Sequence, residues 1–267
     1  MSGARTHHLL VDGALWHDRP PLSGLDLERH GRALYEDLGD AAACVGPWLL
    51  PWPADLDLAS VPLPTRLGLS QLEVEVSPEA LFQHLMRLRQ VAMDDGQRFF
   101  LRLADTRALA AMAQAWPTDL LAALKGPVLA WRWCDRDGQW VDWAPGVTGC
   151  ARPLRALRLS EFEALVSAGE VDRLAAELEG LGEEGLKPVQ DPAQHRLVAR
   201  TVAWLAQREP LPWPWRWSIA WQAVRTDGLA LRSADFEQCL AQAWAAGDLA
   251  LLRAWCPARP PRHEVRT

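Results

Sequence analysis

Residues 71–91, QLEVEVSPEALFQHLMRLRQV, change period in the middle. Up to Val76, apolar and charged side chains alternate, the pattern of a strand with one face in a core and one toward water. Ser77 and Pro78 interrupt it: a serine hydroxyl can accept from an orphan amide at a helix start, and proline suits a first turn. Beyond them Leu81, Leu85 and Leu88 recur at helical spacing. A strand that runs into an amphipathic helix sets the class of the N-terminal part as α/β.

The same alternation of elements extends in both directions. HLLVDG at residues 8–13 predicts a strand closed by a turn, and RALYEDL a short amphipathic piece. ACVGPWLLPW predicts an extended segment broken at Gly46 and Pro47, because a residue before proline is pushed out of the helical region. QRFFLRL reads as a strand and TRALAAMAQAW as a helix, with Asp105 placed to cap it. VLAWRWCDRDGQWVDW reads as a hairpin turning at Asp137-Gly138, with Trp131 and Trp133 on one strand and Trp140 and Trp143 on the next.

From about residue 156 helical periodicity takes over. Ser160 and Glu163 suggest a capping box, and Asp191-Pro192, Ser233 and Asp248 each open a further helix. The expected fold is α+β: an α/β lobe with a mixed sheet and flanking helices over residues 1–155, then an all-helical lobe over 156–267, with a frayed tail at ARPPRHEVRT.

The chain has 267 residues and a formal charge of -6, and its basic residues are scattered, so a nucleic-acid backbone is not the expected partner. No apolar run approaches the roughly 20 residues of a spanning helix, and the N-terminus lacks the pattern of a cleaved signal, so no membrane role and a cytoplasmic location are expected. Cys44, Cys134, Cys150, Cys239 and Cys256 are odd in number and widely spaced, which favours free thiols over a disulfide frame.

Catalytic signatures are missing: there is no GxSxG, no phosphate-binding glycine loop, no HExxH and no GxGxxG. Asp135, Asp137 and Gly138 resemble the start of a calcium loop, but Gln139 occupies a ligand position, so a turn is expected. His7, His8 and His17 form the densest histidine group, yet neighbours on a strand face opposite ways. No cofactor and no metal are expected. Arg102, Asp105 and Arg107 make the sharpest polar group, read as a brace at a strand-helix corner.

The other conspicuous feature is tryptophan, at 15 residues. In LPWPWRWSIAW, residues 211–221, the prolines predict an extended run that puts Trp213, Trp215 and Trp217 on one face, with a helix beginning near Trp221. Such indoles can fill a core; as a surface, Trp213, Trp215 and Trp217, with Trp131 and Trp133, are the candidate partner-binding residues.

In order, LVDGA, LYEDL, VGPWLLP, FQHLMRL, DDGQRFFLRLADTRAL and KGPVLAW resemble the adaptor (chaperone) family of bacterial type VI secretion, a domain long catalogued as of unknown function. The resemblance spans roughly residues 8–131 and reaches the helical lobe in outline only. Arg102, Asp105 and Arg107 align with it, and Ala104 and Thr106 stand where the family typically carries an aromatic residue and a proline. It implies a non-enzymatic protein that binds a cognate toxic effector and helps load it onto the spike protein VgrG or a PAAR tip. Two other classes compete: a hydrolase using His17 or His84 with a carboxylate, and a tryptophan-rich carbohydrate-binding module.

Overall fold

The computed structural model describes residues 4–17, 26–53, 61–180 and 191–256; the expected frayed tail and the side chain of His17 lie outside the described residues. The class is α+β, and the chain divides into two compact units, residues 1–169 and 170–267.

The first unit begins with β1 (Thr6–Asp12), α1 (Gly13–His17), α2 (Leu27–His30), β2 (Arg32–Ala33), α3 (Asp40–Val45), β3 (Pro47–Pro51), α4 (Leu63–Arg66) and β4 (Leu69–Val74). It continues with α5 (Pro78–Leu88), β5 (Gln90–Ala92), β6 (Arg98–Phe100), α6 (Thr106–Ala115), α7 (Thr118–Lys125), β7 (Val128–Cys134), β8 (Trp140–Asp142) and α8 (Leu159–Ala168). Six strands form one sheet in the order β2-β3-β1-β4-β7-β8, and β5 and β6 pair separately as a hairpin. Where a mixed sheet was expected, every pairing in the large sheet is antiparallel.

Register explains the burial. Leu10 lies opposite Leu49, and Leu72 opposite Trp131, so these side chains share one face and join the main core with Leu81, Leu85, Leu109, Leu120 and Leu124 of the covering helices. On the other face Leu9 meets Leu50, and with Val11, Leu69 and Val61 they form a second cluster that Trp48, Trp52 and Trp140 flank. The central strand β1 is covered on both faces, which is why the run from His8 to Val11 is continuously buried and its Leu9-Leu10-Val11 part is apolar rather than alternating.

Two local expectations shift. The strand in QRFFLRL is only Arg98–Phe100. The cap of α8 is Arg158, whose N–H donates to the Glu161 carboxylate at 2.9 Å, so Ser160 and Glu163 sit inside the helix. Arg155 fixes Glu161 there through two further bonds of 2.7 and 2.8 Å, which hold its carboxyl down at about 2.

The division between units falls after Gly169 rather than at residue 156. Helical periodicity marks residues 159–168 as a helix but does not say what it packs on. Phe162 stacks on Phe99 with ring centroids 4.8 Å apart, and Leu157 exchanges backbone bonds with Ala92 and Asp94, so this segment belongs to the first unit.

The second unit is helical: α9 (Glu170–Glu179), α10 (Pro192–Leu205), α11 (Trp213–Arg225), α12 (Ala234–Ala246) and α13 (Leu249–Ala254). Its axis is α11, which sends Ala220 and Val224 into a cluster with α9 and α10, and Trp215 and Ile219 into another with Leu205, Phe236 and Leu252.

The expected extended run at residues 212–217 is therefore corrected: Trp213 already belongs to α11. Pro212 occupies the N-cap and Pro214 the first turn, and the amides of Trp215 and Arg216 both donate to the Pro212 carbonyl. The first amides of a helix have no acceptor within it, so prolines there forfeit no hydrogen bond.

Candidate functional site

The strand-helix corner brings together the polar residues singled out in the sequence. Asp105 caps α6, accepting from the Arg107 amide at 3.0 Å and from the Arg107 guanidinium at 2.7 and 2.9 Å. Arg102 reaches Asp105 at 3.1 Å and Asp12, at the end of β1, at 3.2 Å. Asp12 in turn accepts from the amides of Ala14 and Leu15 and so caps α1. One guanidinium thus ties together two carboxylates that each start a helix.

Backbone closeness completes the corner. A Cβ on Gly13 would stand 2.3 Å from the Cys44 carbonyl oxygen, and one on Gly46 would stand 2.6 Å from the Tyr35 ring, so α1, α3 and the start of β3 at Pro47 close on one another only through these glycines.

The two carboxylates are driven apart in acidity. Burial pushes the Asp12 carboxyl up, against the pull of Arg102. Burial acts the same way on Asp105, but the hydrogen bonds and charge of Arg107, with Arg102, outweigh it and hold that carboxyl below its ordinary value. Opposed shifts can mark an acid and base pair. Here the neighbouring hydroxyls are committed to backbone carbonyls, Thr106 to Leu67 at 2.7 Å and Tyr35 to Leu101 at 3.3 Å. The corner is a brace.

Replacing Asp105 by Ala removes a cap and both ion pairs and should cost about 2–4 kcal/mol at neutral pH. Because its carboxyl is depressed in the folded state, that contribution is present above the unfolded value of 3.8 and is lost as pH falls through the lower folded value. Urea denaturation of both proteins across the acid range should show the two stability curves converging there; a constant gap would contradict the ion-pair account.

The tryptophans separate into kinds. Trp131 is wholly buried beside Trp143, with ring centroids 5.1 Å apart, so it cannot meet a partner as expected of a binding residue. Trp133 packs against the same core and is half-buried. On α11 residues two apart point in roughly opposite directions, so Trp215 enters one cluster while Trp213 and Trp217 flank the other, and the single shared face disappears.

Arginines cover several of these rings. The Arg173 guanidinium lies 3.8 Å from the ring centre of Trp213, and Arg208 lies 3.2 Å from that of Trp204. Arg225 and Arg253 stand farther off, over Trp221 and Trp217. Each indole thus has the core on one side and a cation on another, which suits an outer wall of a helical unit and removes the flat platform a sugar ring would stack on.

The histidines do not assemble. His8 is buried and paired with Thr6, His7 is exposed on the opposite face, and the Nε2 of His84 lies 3.0 Å from the Leu124 carbonyl oxygen. Among the described residues no group of three His, Cys, Asp or Glu is placed to hold a metal ion. His195 pairs with Asp172 at 3.0 Å and links α10 to α9, a contact between distant residues that no local motif announces.

A feature with no signature in the sequence is a cleft of about 740 Å³ in the first unit, between the end of α5, the β5-β6 hairpin and residues 151–156. Its lining includes Arg87, Arg89, Arg98 and Arg152 and, among the described residues, no carboxylate. Its shape follows from glycine. Gly126 ends α7 at φ 52° and ψ −120°, and a Cβ there would stand 2.1 Å from the His84 ring. Gly149 packs onto Gly126 so closely that a Cβ would lie 2.0 Å from its carbonyl oxygen. Arg155 holds the far end of the 151–156 wall to Asp119 and Glu161.

Among the described residues no helix is long and apolar enough to cross a membrane. No curated protein and no solved structure matches the chain. Over residues 7–123, from β1 into α7 and so including the Arg102-Asp105-Arg107 corner, the chain matches the model of a family described as Domain of unknown function (DUF4123).

Proposed function

We propose that this protein is a non-enzymatic adaptor that binds a cognate type VI secretion effector in the cytoplasm and helps load it onto the VgrG spike or its PAAR tip. The observation that carries the reading is the match over residues 7–123, which contains nearly all of the ordered motif series from LVDGA to DDGQRFFLRLADTRAL. Two features of the molecule support it. The most polar constellation, at the α6 corner, has its acceptors occupied by amides and guanidinium groups. The first unit also carries a broad open cleft of the kind a polypeptide segment can enter.

The test is genetic. Deleting this chain should stop secretion of the effector encoded beside it while other cargo of the same apparatus is still exported. Continued secretion of that effector would refute the adaptor role.

A further inference from the structure

The residues around the cleft carry more information than its size. Several arginines of the first unit are paired with carboxylates: Arg5 with Glu73 and Glu75, Arg32 with Glu79, Arg89 with Asp37, Arg155 with Asp119 and Glu161. Arg87, Arg98 and Arg152 differ. They come from α5, β6 and the 151–156 wall, all three are exposed, and none makes a hydrogen bond or ion pair with any described residue. Three unpaired cations around one cleft, on a chain of net charge -6, form a local field opposite in sign to the molecule.

Between the cations the lining is apolar, with half-buried surface from Met86, Pro127 and Leu154. Apart from His84 the lining holds no ring on which a base would stack, so the cleft lacks the platform that single-stranded nucleic acid uses. Inorganic phosphate would draw nothing from the apolar part. An extended peptide that presents carboxylates and small apolar side chains in alternation satisfies both kinds of surface at once, since guanidinium groups bind carboxylates with charge-assisted bonds.

We infer that this cleft receives an extended acidic segment of the client polypeptide, its carboxylates on Arg87, Arg98 and Arg152 and its apolar side chains on Met86, Pro127 and Leu154. The assignment of that segment to the client rests on the adaptor reading; the chemistry of the cleft does not.

Two arms separate these claims. In the first, a fluorescein-labelled peptide alternating glutamate with alanine is titrated onto the full chain, beside a lysine-alanine peptide and a single-stranded oligodeoxynucleotide of similar length. The acidic peptide should bind most tightly, and its affinity should fall about tenfold or more in the combined Arg87→Gln, Arg98→Gln, Arg152→Gln variant. It should also weaken with added salt in the wild type more than in the variant. Equal binding of both peptides, or no loss in the variant, would overturn the cleft assignment, as would tighter binding of the oligonucleotide that the variant abolishes. These arginines are exposed, so the variant should keep the wild-type melting temperature; a replacement by lysine, which keeps the charge, should restore part of the affinity and serves as the control for folding.

In the second arm the effector encoded beside this chain replaces the peptide. Loss of its binding in the glutamine variant supports the client assignment. Unchanged effector binding, with acidic-peptide binding lost, would show that the client docks elsewhere. Failure of the wild-type chain to bind the effector at all, with the peptide result intact, would refute the adaptor reading and leave the cleft chemistry standing.

Discussion

Trp131→Ala should destabilise the first unit by about 3–5 kcal/mol, among the largest effects of any single side-chain truncation in the molecule. The side chain is fully buried on β7, opposite Leu72 in the sheet and against Trp143, so truncation removes a large apolar contact and leaves a cavity that sheet and helices cannot collapse into. The two indoles of this pair differ in their N–H groups. Trp143 donates to the Leu109 carbonyl at 2.8 Å, whereas the buried Trp131 N–H meets no acceptor among the described residues.

Replacement by Phe therefore discriminates between them. Trp131→Phe discards an unsatisfied donor along with some volume and should cost about 1–2 kcal/mol, less than Trp143→Phe, which breaks a bond and strips the Leu109 carbonyl of that donor. Urea titration of the three variants checks the order. Wild-type stability in Trp131→Ala would mean that this indole lies on the surface, and would return it to the binding residues.

Gly126→Ala should cost about 2–4 kcal/mol, for two separable reasons. The backbone at φ 52° and ψ −120° is one that residues with a Cβ rarely adopt, and the added carbon would stand 2.1 Å from the His84 ring. Adding His84→Ala to the glycine variant should recover the part due to the clash and leave the backbone strain in place. Urea denaturation of the single and double variants measures both parts, and full additivity of the two costs would show that ring and glycine are not in contact. The same variant displaces the wall of the arginine cleft, because Gly149 packs directly on Gly126.

What could be read from the sequence alone was mostly local. Ser77, Asp105, Asp191, Ser233 and Asp248 all cap helices through a side-chain oxygen, because a cap is decided within one turn of chain. The Asp137-Gly138 turn closes its hairpin for the same reason, Gly138 holding a positive φ that glycine tolerates.

The errors share a cause. Pro212 and Pro214 read as helix breakers until their place within the helix is known, and at its first turn they are harmless. The segment 159–168 is helical by pattern, but its allegiance is set by Phe99 and Ala92, far away in the chain. The cleft arginines were invisible for a similar reason: Arg87, Arg98 and Arg152 follow no spacing and meet only once the hairpin and the 151–156 wall are in place. The Arg102-Asp105-Arg107 brace was legible, and its link to Asp12, on the first strand, was not.

The proposed adaptor role means that this molecule works by holding another polypeptide. Its most direct test is to co-express the chain with the proposed cognate effector and weigh the purified species by light scattering. A stable complex with the mass of both chains is the predicted result. Two separately eluting proteins, under conditions where each is folded, would contradict it.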